Sequence, residues 1–285
     1  MNATIPPVIL IGMHRSGTSL VTRMLHDLGL FTGWRKDINH EPWYFLRLND
    51  WLLHQCGGAW DNAEPFRHLR DSAMARRVTL GYLRFMLRAP RRVLYLGPRE
   101  FLRHGDVSAL QRPWGWKDPR NTYTLPLWRE LYPQARVIHV YRHGVDVAAS
   151  LQRRQTESVA HAERRFHRRR WLYGFIGKKG GFAESWRCAD LDEALSLWRE
   201  YTAEARRQVG ECGELATEVR YETLLEDPAP VLERLGEFCG LSPSADQFER
   251  AVARVRSSRA FAHQRDPSLR ELAERRRDDL HAFGY

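Results

Sequence analysis

The sequence predicts an α/β fold in which a mostly parallel central sheet is flanked by helices on both faces. Two short apolar runs, PVILIG at 7–12 and RVIHVYR at 136–142, have the length and composition of fully buried strands. Each run is followed by a helical pattern, and strands alternate with helices along the chain. The length of 285 residues suits one large α/β domain or two small ones. Since no repeat or low-complexity linker divides the chain, we expect one domain over 1–285.

The first half of the chain opens with a strand, a glycine-rich loop and a helix. Leu20, Met24, Leu25 and Leu28 recur at helical spacing, and Gly29 favours a helix end. Before the second buried strand, the patterns are helices at 41–58 and 71–89, a segment at 92–97 that fits a strand or a helix end, a short strand in 114–120 with a turn at Pro119, and a helix at 124–133.

The second half contains one marked shift in composition. The other patterns are helices at 144–154, 191–209, 230–241 and 245–255, a strand at 216–222, and a polar helix with a frayed end in 269–285. The segment 161–181, HAERRFHRRRWLYGFIGKKGG, is basic and aromatic. We interpret it as part of a lid or insertion over about 155–190. It is either a solvated basic helix or a surface for peripheral contact with anionic lipid.

The charge balance favours an anionic partner. The net charge is +10, and four of the 45 basic residues are lysines, namely Lys36, Lys117, Lys178 and Lys179. Arginine suits forked binding of phosphate and sulfate. A positive balance fits an anionic ligand, a nucleic acid or a membrane surface, and does not choose among them.

Composition also narrows the compartment and the cofactor class. The N-terminus has no signal-peptide pattern, and no apolar run reaches the roughly 18 residues of a membrane span, so we expect a cytoplasmic protein. Cys56, Cys188, Cys212 and Cys239 are scattered, which is typical of reduced thiols, and the histidines form no ligand set. We expect no metal.

The loop IGMHRSGTSL at 11–20 is close to a phosphate-binding P-loop, G-x-x-x-x-G-K-[ST]. Gly12 and Gly17 hold the glycine places and Ser19 the hydroxyl place, but Thr18 stands where the lysine is required. That lysine reaches the β- and γ-phosphates of a triphosphate. Arg15 lies inside the loop instead, where it can sit over a transferring anionic group. The loop therefore indicates transfer of a charged group without a metal.

GMHRSGTSLVTRML resembles the 5′-phosphosulfate loop of the sulfotransferases, which use 3′-phosphoadenosine 5′-phosphosulfate (PAPS). The resemblance implies a fold like that of the P-loop nucleotide hydrolases. It also implies that PAPS, and its product adenosine 3′,5′-bisphosphate, are held by six loop residues: His14, Arg15, Ser16, Gly17, Thr18 and Ser19.

RVIHVYRHGVDVAASLQRR resembles the 3′-phosphate motif of the same family, which implies that Arg142 and Ser150 grip that phosphate. An arginine at the carboxyl end of a central strand also points into the ligand crevice of an open sheet. VRYETLLEDP resembles the Y-E-x-L segment, which implies that Tyr221 lies by the nucleotide. The resemblance runs from Val8 to about Leu241 and thins in 60–110 and 155–190.

WGWKDPR resembles the K-D-P element of protein-tyrosine sulfotransferases and related bacterial enzymes. The resemblance implies that Lys117 stabilises the transferring sulfuryl group, while we expect Asp118 and Arg120 to orient the turn. Sulfuryl transfer needs a base for the acceptor, fixed donors for the developing charge, and in-line geometry.

The family uses either a histidine or a glutamate as the base. Glu41, in DINHEPWYF, is our first candidate, with His40 second and His14 third. The alternative for Glu41 is a capping carboxylate that only stabilises a helix N-terminus.

The acceptor and the competing functions stay open. Five aromatic residues suit either a ring-shaped acceptor or the core: Trp43, Tyr44, Phe45, Trp51 and Trp60. We expect a hydroxyl, less often an amine, of a carbohydrate, lipid or small metabolite, no nucleic-acid partner, and a monomer or homodimer. The alternatives are a P-loop kinase of small molecules, which needs magnesium and a triphosphate, and a non-catalytic anion or nucleic-acid binding module.

Overall fold

The computed structural model describes residues 5–255 and 259–285, which divide into two compact units. The first unit holds the described residues of 1–142 and 201–260, and the second holds 143–200 and 261–285. The single domain over 1–285 stays a prediction.

The first unit contains the sheet. Among the described residues, its strands are β1 (Val8–Ile11), β2 (Gly115–Lys117), β3 (Arg136–Tyr141) and β4 (Ala216–Arg220). The strand order is β2-β1-β3-β4, and every pairing is parallel. Leu10 of β1 pairs with Lys117 on one side and with Ile138 on the other. The predicted parallel α/β fold is confirmed.

The helices of the described chain are, in order, α1 (Thr18–Asp27), α2 (Trp43–His54), α3 (Phe66–Asp71), α4 (Ala73–Arg88), α5 (Val93–Arg103), α6 (Asn121–Leu131), α7 (Gly144–Ile176), α8 (Leu191–Cys212), α9 (Tyr221–Glu226), α10 (Pro228–Cys239), α11 (Ala245–Val252), α12 (Pro267–Arg275) and α13 (Arg277–His281). Short 3-10 turns occupy 90–92, 107–109, 186–189, 213–215 and 262–265. None of these helices is both long and apolar enough to cross a bilayer.

Helices cover both faces of the sheet, because β1 sends alternate side chains into two separate clusters. Ile9 and Ile11 pack into a cluster with Phe45 of α2 and Trp128 of α6. Val8 and Leu10 pack on the opposite face, with side chains of α1 and α10 that include Val21, Leu25 and Leu235. The period-two alternation of one apolar strand thus accounts for the two layers of helices.

Residues 92–97 are neither a strand nor the end of α4, so both alternatives for this segment were wrong. Ala89 takes an extended conformation and ends α4, since the residue before a proline is disfavoured in the α region. Pro90 then starts a 3-10 turn, which leads into α5, a helix kinked at Gly97. The local apolar run was a helix face rather than a strand.

The prediction of a frayed C-terminal end was also wrong. α13 follows α12 closely, and Leu280 and Phe283 are buried. The Phe283 ring meets the Trp198 ring edge-on at 5.2 Å between centroids. Residues 155–176 continue α7, which is 33 residues long. The role of 155–190 as a lid stays a prediction.

Candidate active site

The loop between β1 and α1 is shaped by two glycines with positive φ. Gly12 has φ of 133°, and a Cβ there would lie 2.2 Å from the carbonyl oxygen of Val140. Gly17 has φ of 94°, and a Cβ there would lie 2.2 Å from the ring of Tyr221. Only glycine fits either position.

The loop also presents polar groups that suit an anion. No side chain caps the N-terminus of α1, so its first amide groups and the positive end of the helix dipole face the loop. The hydroxyl of Ser16 is buried and has no hydrogen-bond partner among the described residues. This hydroxyl is therefore available to a ligand in the loop.

Substituting Gly17 by alanine is expected to lower the free energy of unfolding by about 1–3 kcal/mol and to weaken binding of adenosine 3′,5′-bisphosphate, the product nucleotide that the sequence predicts for this loop. Both effects follow from the forced φ and the collision with Tyr221. Gly29→Ala is the matched control, because Gly29 also has positive φ but nothing within 4 Å of its added Cβ. Urea unfolding and calorimetry measure the two effects. Equal affinity for both variants would contradict this role of Gly17.

Lys117 brings the loop and the predicted base together. It is the last residue of β2, and its Nζ donates hydrogen bonds to Glu41 Oε1 at 2.7 Å and to Ser19 Oγ at 3.2 Å. The Lys117 and Glu41 side chains are only 1% and 6% exposed, so this is a buried ion pair. Three residues predicted from separate motifs therefore meet at one place.

Glu41 is not a helix cap. α2 begins at Trp43 with Pro42 as its N-cap, and no side chain accepts a hydrogen bond from the first turn. The main chain of Glu41 is tied to Asp37 instead: the Glu41 N–H donates to Asp37 Oδ1, and the Asp37 N–H donates to the Glu41 carbonyl. This small turn leaves the Glu41 carboxylate directed at Lys117.

The electrostatic surroundings separate the candidate bases. The pKa of Glu41 is raised to about 7, chiefly by burial; Lys117 opposes the shift and Asp118 adds to it. Burial lowers the pKa of His40 to about 4, assisted by the positive charges of Lys36 and Arg23. A base works best when its pKa lies near the working pH, so this geometry favours Glu41 over His40.

His14 packs against aromatic rings, whereas the neighbouring Arg15 is exposed. The His14 ring packs against Trp60, with 4.6 Å between centroids, and lies 6.3 Å from the Tyr201 ring. Arg15 is exposed, with φ of 71°. Of the aromatic residues considered for the acceptor, Tyr44 and Phe45 belong to the core, whereas the other three keep some exposure: Trp43, Trp51 and Trp60.

A buried hydrogen-bond network behind Lys117 was missed by the sequence analysis. Asn49 of α2 donates to Asp118 Oδ2 at 3.0 Å and to Asn121 Oδ1 at 2.7 Å. Its own Oδ1 accepts from Thr124 and from the Trp128 indole. The available signal was one asparagine on the apolar face of a predicted helix. The side-chain amide of Asn49 thus donates two hydrogen bonds and accepts two. Because all of them are made to neighbouring segments, Asn49 fixes the turn after β2 relative to α2 and α6.

Asn121 extends this network to the first strand. Its Nδ2 donates to the carbonyl of Leu10, and its Oδ1 also accepts from the Trp116 indole. Thr122 Oγ1 accepts from the N–H of Gly12, at the start of the loop. The network therefore links the Lys117 turn and the phosphate loop through α6. Asp118 also accepts from the Arg120 N–H, as expected for a residue that orients the turn.

Tyr221 and Arg142 lie together on the other side of the loop. The ring of Tyr221 lies against Gly17, and the Arg142 guanidinium stacks over that ring at 4.9 Å. Arg142 also donates a hydrogen bond to the carbonyl of Arg259 at 3.0 Å. Ser150 lies in the second unit, in the second turn of α7. Its contact with a 3′-phosphate stays a prediction.

A cavity of about 460 Å³ adjoins Tyr221. Among the described residues, it is lined by Leu20, Arg23, Tyr221, Ala253, Arg254 and Arg259. Burial lowers the pKa of Arg23, and the neighbouring Arg254 and Arg259 lower it further. Arg254 is paired with Asp27. A nucleotide-sized cavity with converging guanidinium groups suits a phosphorylated ligand. The sequence analysis missed Arg23 and Arg259; the latter lies beyond the region of family resemblance.

The described residues contain no group of three or more His, Cys, Asp or Glu side chains that could hold a metal ion. The positive charge of this site comes from the lysine and the arginines.

One protein family and several solved structures are similar to this chain. The model of a family described as the sulfotransferase family matches residues 6–246. One similar structure is a sulfotransferase domain of the Synechococcus PCC 7002 olefin synthase, with 19% identity over 92% of this chain and 82% of that chain and a TM-score of 0.48. Another is a sulfotransferase domain from the curacin biosynthetic pathway, with 15% identity over 96% of this chain and 98% of that chain and a TM-score of 0.49. A third is sulfotransferase STF9 from Mycobacterium avium, with 16% identity over 88% of this chain and 68% of that chain and a TM-score of 0.45.

A comparison with curated protein sequences gave no significant match. The family model nevertheless covers most of the chain, including the loop, β2 with Lys117, β3 with the following Arg142, and Tyr221. On that match, the chain belongs to the sulfotransferase family and is a sulfotransferase.

Proposed function

We propose that this enzyme transfers the sulfuryl group of PAPS to a hydroxyl, or less often an amine, of a small-molecule, carbohydrate or lipid acceptor. The observation that carries the proposal is the buried Glu41–Lys117 pair, joined to Ser19 of the phosphate loop. It combines a carboxylate with a pKa near 7 and a fixed positive charge beside an anion site. Family membership supports PAPS as the donor.

The residues present fit a phosphosulfate nucleotide. The unpartnered Ser16 hydroxyl, the uncapped start of α1 and the space kept by Gly17 suit the 5′-phosphosulfate. Arg142 and Tyr221 adjoin the arginine-lined cavity, which suits the phosphorylated nucleoside. In this proposal the nucleotide is held by His14, Arg15, Ser16, Gly17, Thr18, Ser19, Arg142, Ser150 and Tyr221.

In the proposed mechanism, Glu41 acts on the acceptor and two cations act on the sulfuryl group. Glu41 takes the proton of the acceptor hydroxyl as its oxygen bonds to sulfur. PAPS supplies an activated sulfuryl group, whose bond to the 5′-phosphate oxygen breaks in the same step. Lys117 and Arg15 offset the negative charge of the group in transfer, so the step needs no metal. The proton ends on Glu41, and the product nucleotide leaves as adenosine 3′,5′-bisphosphate.

Calorimetry with adenosine 3′,5′-bisphosphate, compared with ATP and magnesium, tests this proposal. We expect metal-independent binding of the bisphosphate. Arg142→Ala should weaken it about 10- to 100-fold, the range for a charged hydrogen bond to phosphate. Arg206→Ala is the matched control, because Arg206 likewise lies over a tyrosine ring, that of Tyr141, at 5.6 Å.

Three outcomes of this titration would count against the proposal. Preference for magnesium–ATP would favour the kinase. Binding of neither nucleotide would favour a non-catalytic module. Equal weakening by Arg142→Ala and Arg206→Ala would remove Arg142 from the nucleotide site.

A further inference from the structure

The end of α7 and the chain that follows it belong to the second unit, and we call this segment the α7 tip (residues 161–181). α7 ends at Ile176, and Gly177, with φ of 64°, begins the return. Phe182 packs edge-on against Phe166, with 5.6 Å between ring centroids. Lys178 Nζ donates to the carbonyl oxygens of Gly180 and Gly181 at 2.7 Å each. The returning segment is therefore held against the helix.

The α7 tip exposes three large apolar side chains. Trp171, Phe175 and Ile176 are 68%, 84% and 63% exposed. Trp171 and Phe175 are four residues apart on the helix and thus lie on one face. Ile176 follows directly at the last residue of the helix. Exposed apolar side chains clustered at the end of an element mark a binding surface.

The same tip is strongly basic. Its basic side chains are Arg164, Arg165, Arg168, Arg169, Arg170, Lys178 and Lys179, and Glu163 is the one acidic residue. Beside them lies a cavity of about 290 Å³, lined in part by His161, Arg165, Tyr173 and Lys179. The cavity has the size and charge for a phosphate-bearing headgroup.

We propose that the α7 tip docks on the surface of an anionic lipid bilayer, with Trp171, Phe175 and Ile176 in the interface and a lipid phosphate in the adjoining cavity. Lys and Arg around protruding aromatic and aliphatic side chains are the composition of helices that lie at anionic membrane surfaces. A single-stranded nucleic acid would also use the charge and the aromatic rings. It would gain nothing from the exposed aliphatic Ile176, so the observations favour lipid.

Cosedimentation with vesicles tests the proposal on the full chain. We expect binding to phosphatidylglycerol vesicles and not to phosphatidylcholine vesicles. Trp171→Ala/Phe175→Ala should reduce the binding by about tenfold or more, since it removes the groups that enter the interface. Arg165→Gln/Lys179→Gln should reduce it through the headgroup cavity.

Trp186→Ala is the matched control, because Trp186 is 67% exposed in the same unit but lies outside the α7 tip. Ser185 donates to Gln155 of α7, and Ala189 accepts from Gln152. Gln155 lies about 24 Å along the helix from Trp171 at 1.5 Å per residue. Trp186→Ala should bind vesicles like the unchanged protein. Unaltered calorimetric binding of adenosine 3′,5′-bisphosphate would show that each variant is folded.

The proposal is overturned if vesicles are not bound, if both lipids are bound equally, or if Trp171→Ala/Phe175→Ala binds phosphatidylglycerol unchanged. It is also overturned in favour of a nucleic-acid surface if single-stranded RNA binds more tightly than the vesicles, displaces them, and depends on the same residues.

Discussion

Replacing Glu41 by glutamine is expected to lower turnover by about 10²- to 10⁴-fold, the contribution of a positioned general base. Glutamine keeps the shape of the side chain and an oxygen for Lys117 Nζ, but it cannot take a proton at neutral pH. Affinity for adenosine 3′,5′-bisphosphate should stay nearly unchanged, because the nucleotide-binding residues are left intact. The assay is release of that nucleotide from PAPS with a panel of phenol and sugar hydroxyl acceptors, with calorimetry for affinity.

The pH profile of the unchanged enzyme gives the same test without mutation. Because the pKa of Glu41 is raised to about 7, the carboxylate is ionised, and able to act as a base, only above that pH. We expect kcat/KM to rise with pH through a midpoint near 7 and to lose this step in Glu41→Gln. A midpoint near 4 would instead indicate His40, whose pKa is lowered to about that value.

Glu218→Gln is the matched control for Glu41→Gln. Glu218 is also paired with a basic side chain, its Oε1 lying 2.7 Å from His139 Nδ1, but it lies on β4 and belongs to no part of the proposed site. Turnover should be unaffected by that change. If Glu41→Gln turns over as fast as Glu218→Gln, Glu41 is not the base.

The parts of the site predicted from sequence are those whose residues lie close together in one short segment. The strand, loop and helix around Gly12 and Gly17 form one continuous stretch, and Lys117 ends a strand that pairs directly with β1. The parallel sheet followed from two apolar runs, because a strand buried on both faces needs no alternation. Local pattern was therefore sufficient for the fold and for the candidate residues around the loop and Lys117, whose roles stay a prediction.

The parts that were missed depend on contacts between distant segments. Asn49 meets Asp118 and Asn121 some 70 residues away, and its role follows only from how α2 packs on α6. In the sequence, nothing distinguishes Arg23 and Arg259 from other arginines; only the fold places both at one cavity. The break between α4 and α5 depends on Pro90, which stands just before an apolar segment whose composition also fits a strand.

Lys117→Met is expected to reduce turnover and also to destabilise the protein, by about 3–5 kcal/mol, because it leaves Glu41 buried without its partner. Without the lysine, the pKa of Glu41 should rise above about 7, so the folded protein holds a proton that the unfolded chain releases above about 4.5. Stability therefore falls as pH rises from the unfolded value towards the folded one. The loss relative to the unchanged protein should be larger at pH 8.5 than at pH 6.

The double variant Glu41→Gln/Lys117→Met separates the two consequences of losing Lys117. It removes both charges, so it should recover most of the stability and its pH dependence, while turnover stays low. Lys36→Met is the matched control, since Lys36 is a half-buried lysine whose Nζ donates to Thr32 and not to a carboxylate. Urea unfolding at the two pH values measures stability. If Lys117→Met is as stable as the double variant at pH 8.5, the unpartnered Glu41 carboxylate costs the folded protein no stability, and the raised pKa of Glu41 is contradicted.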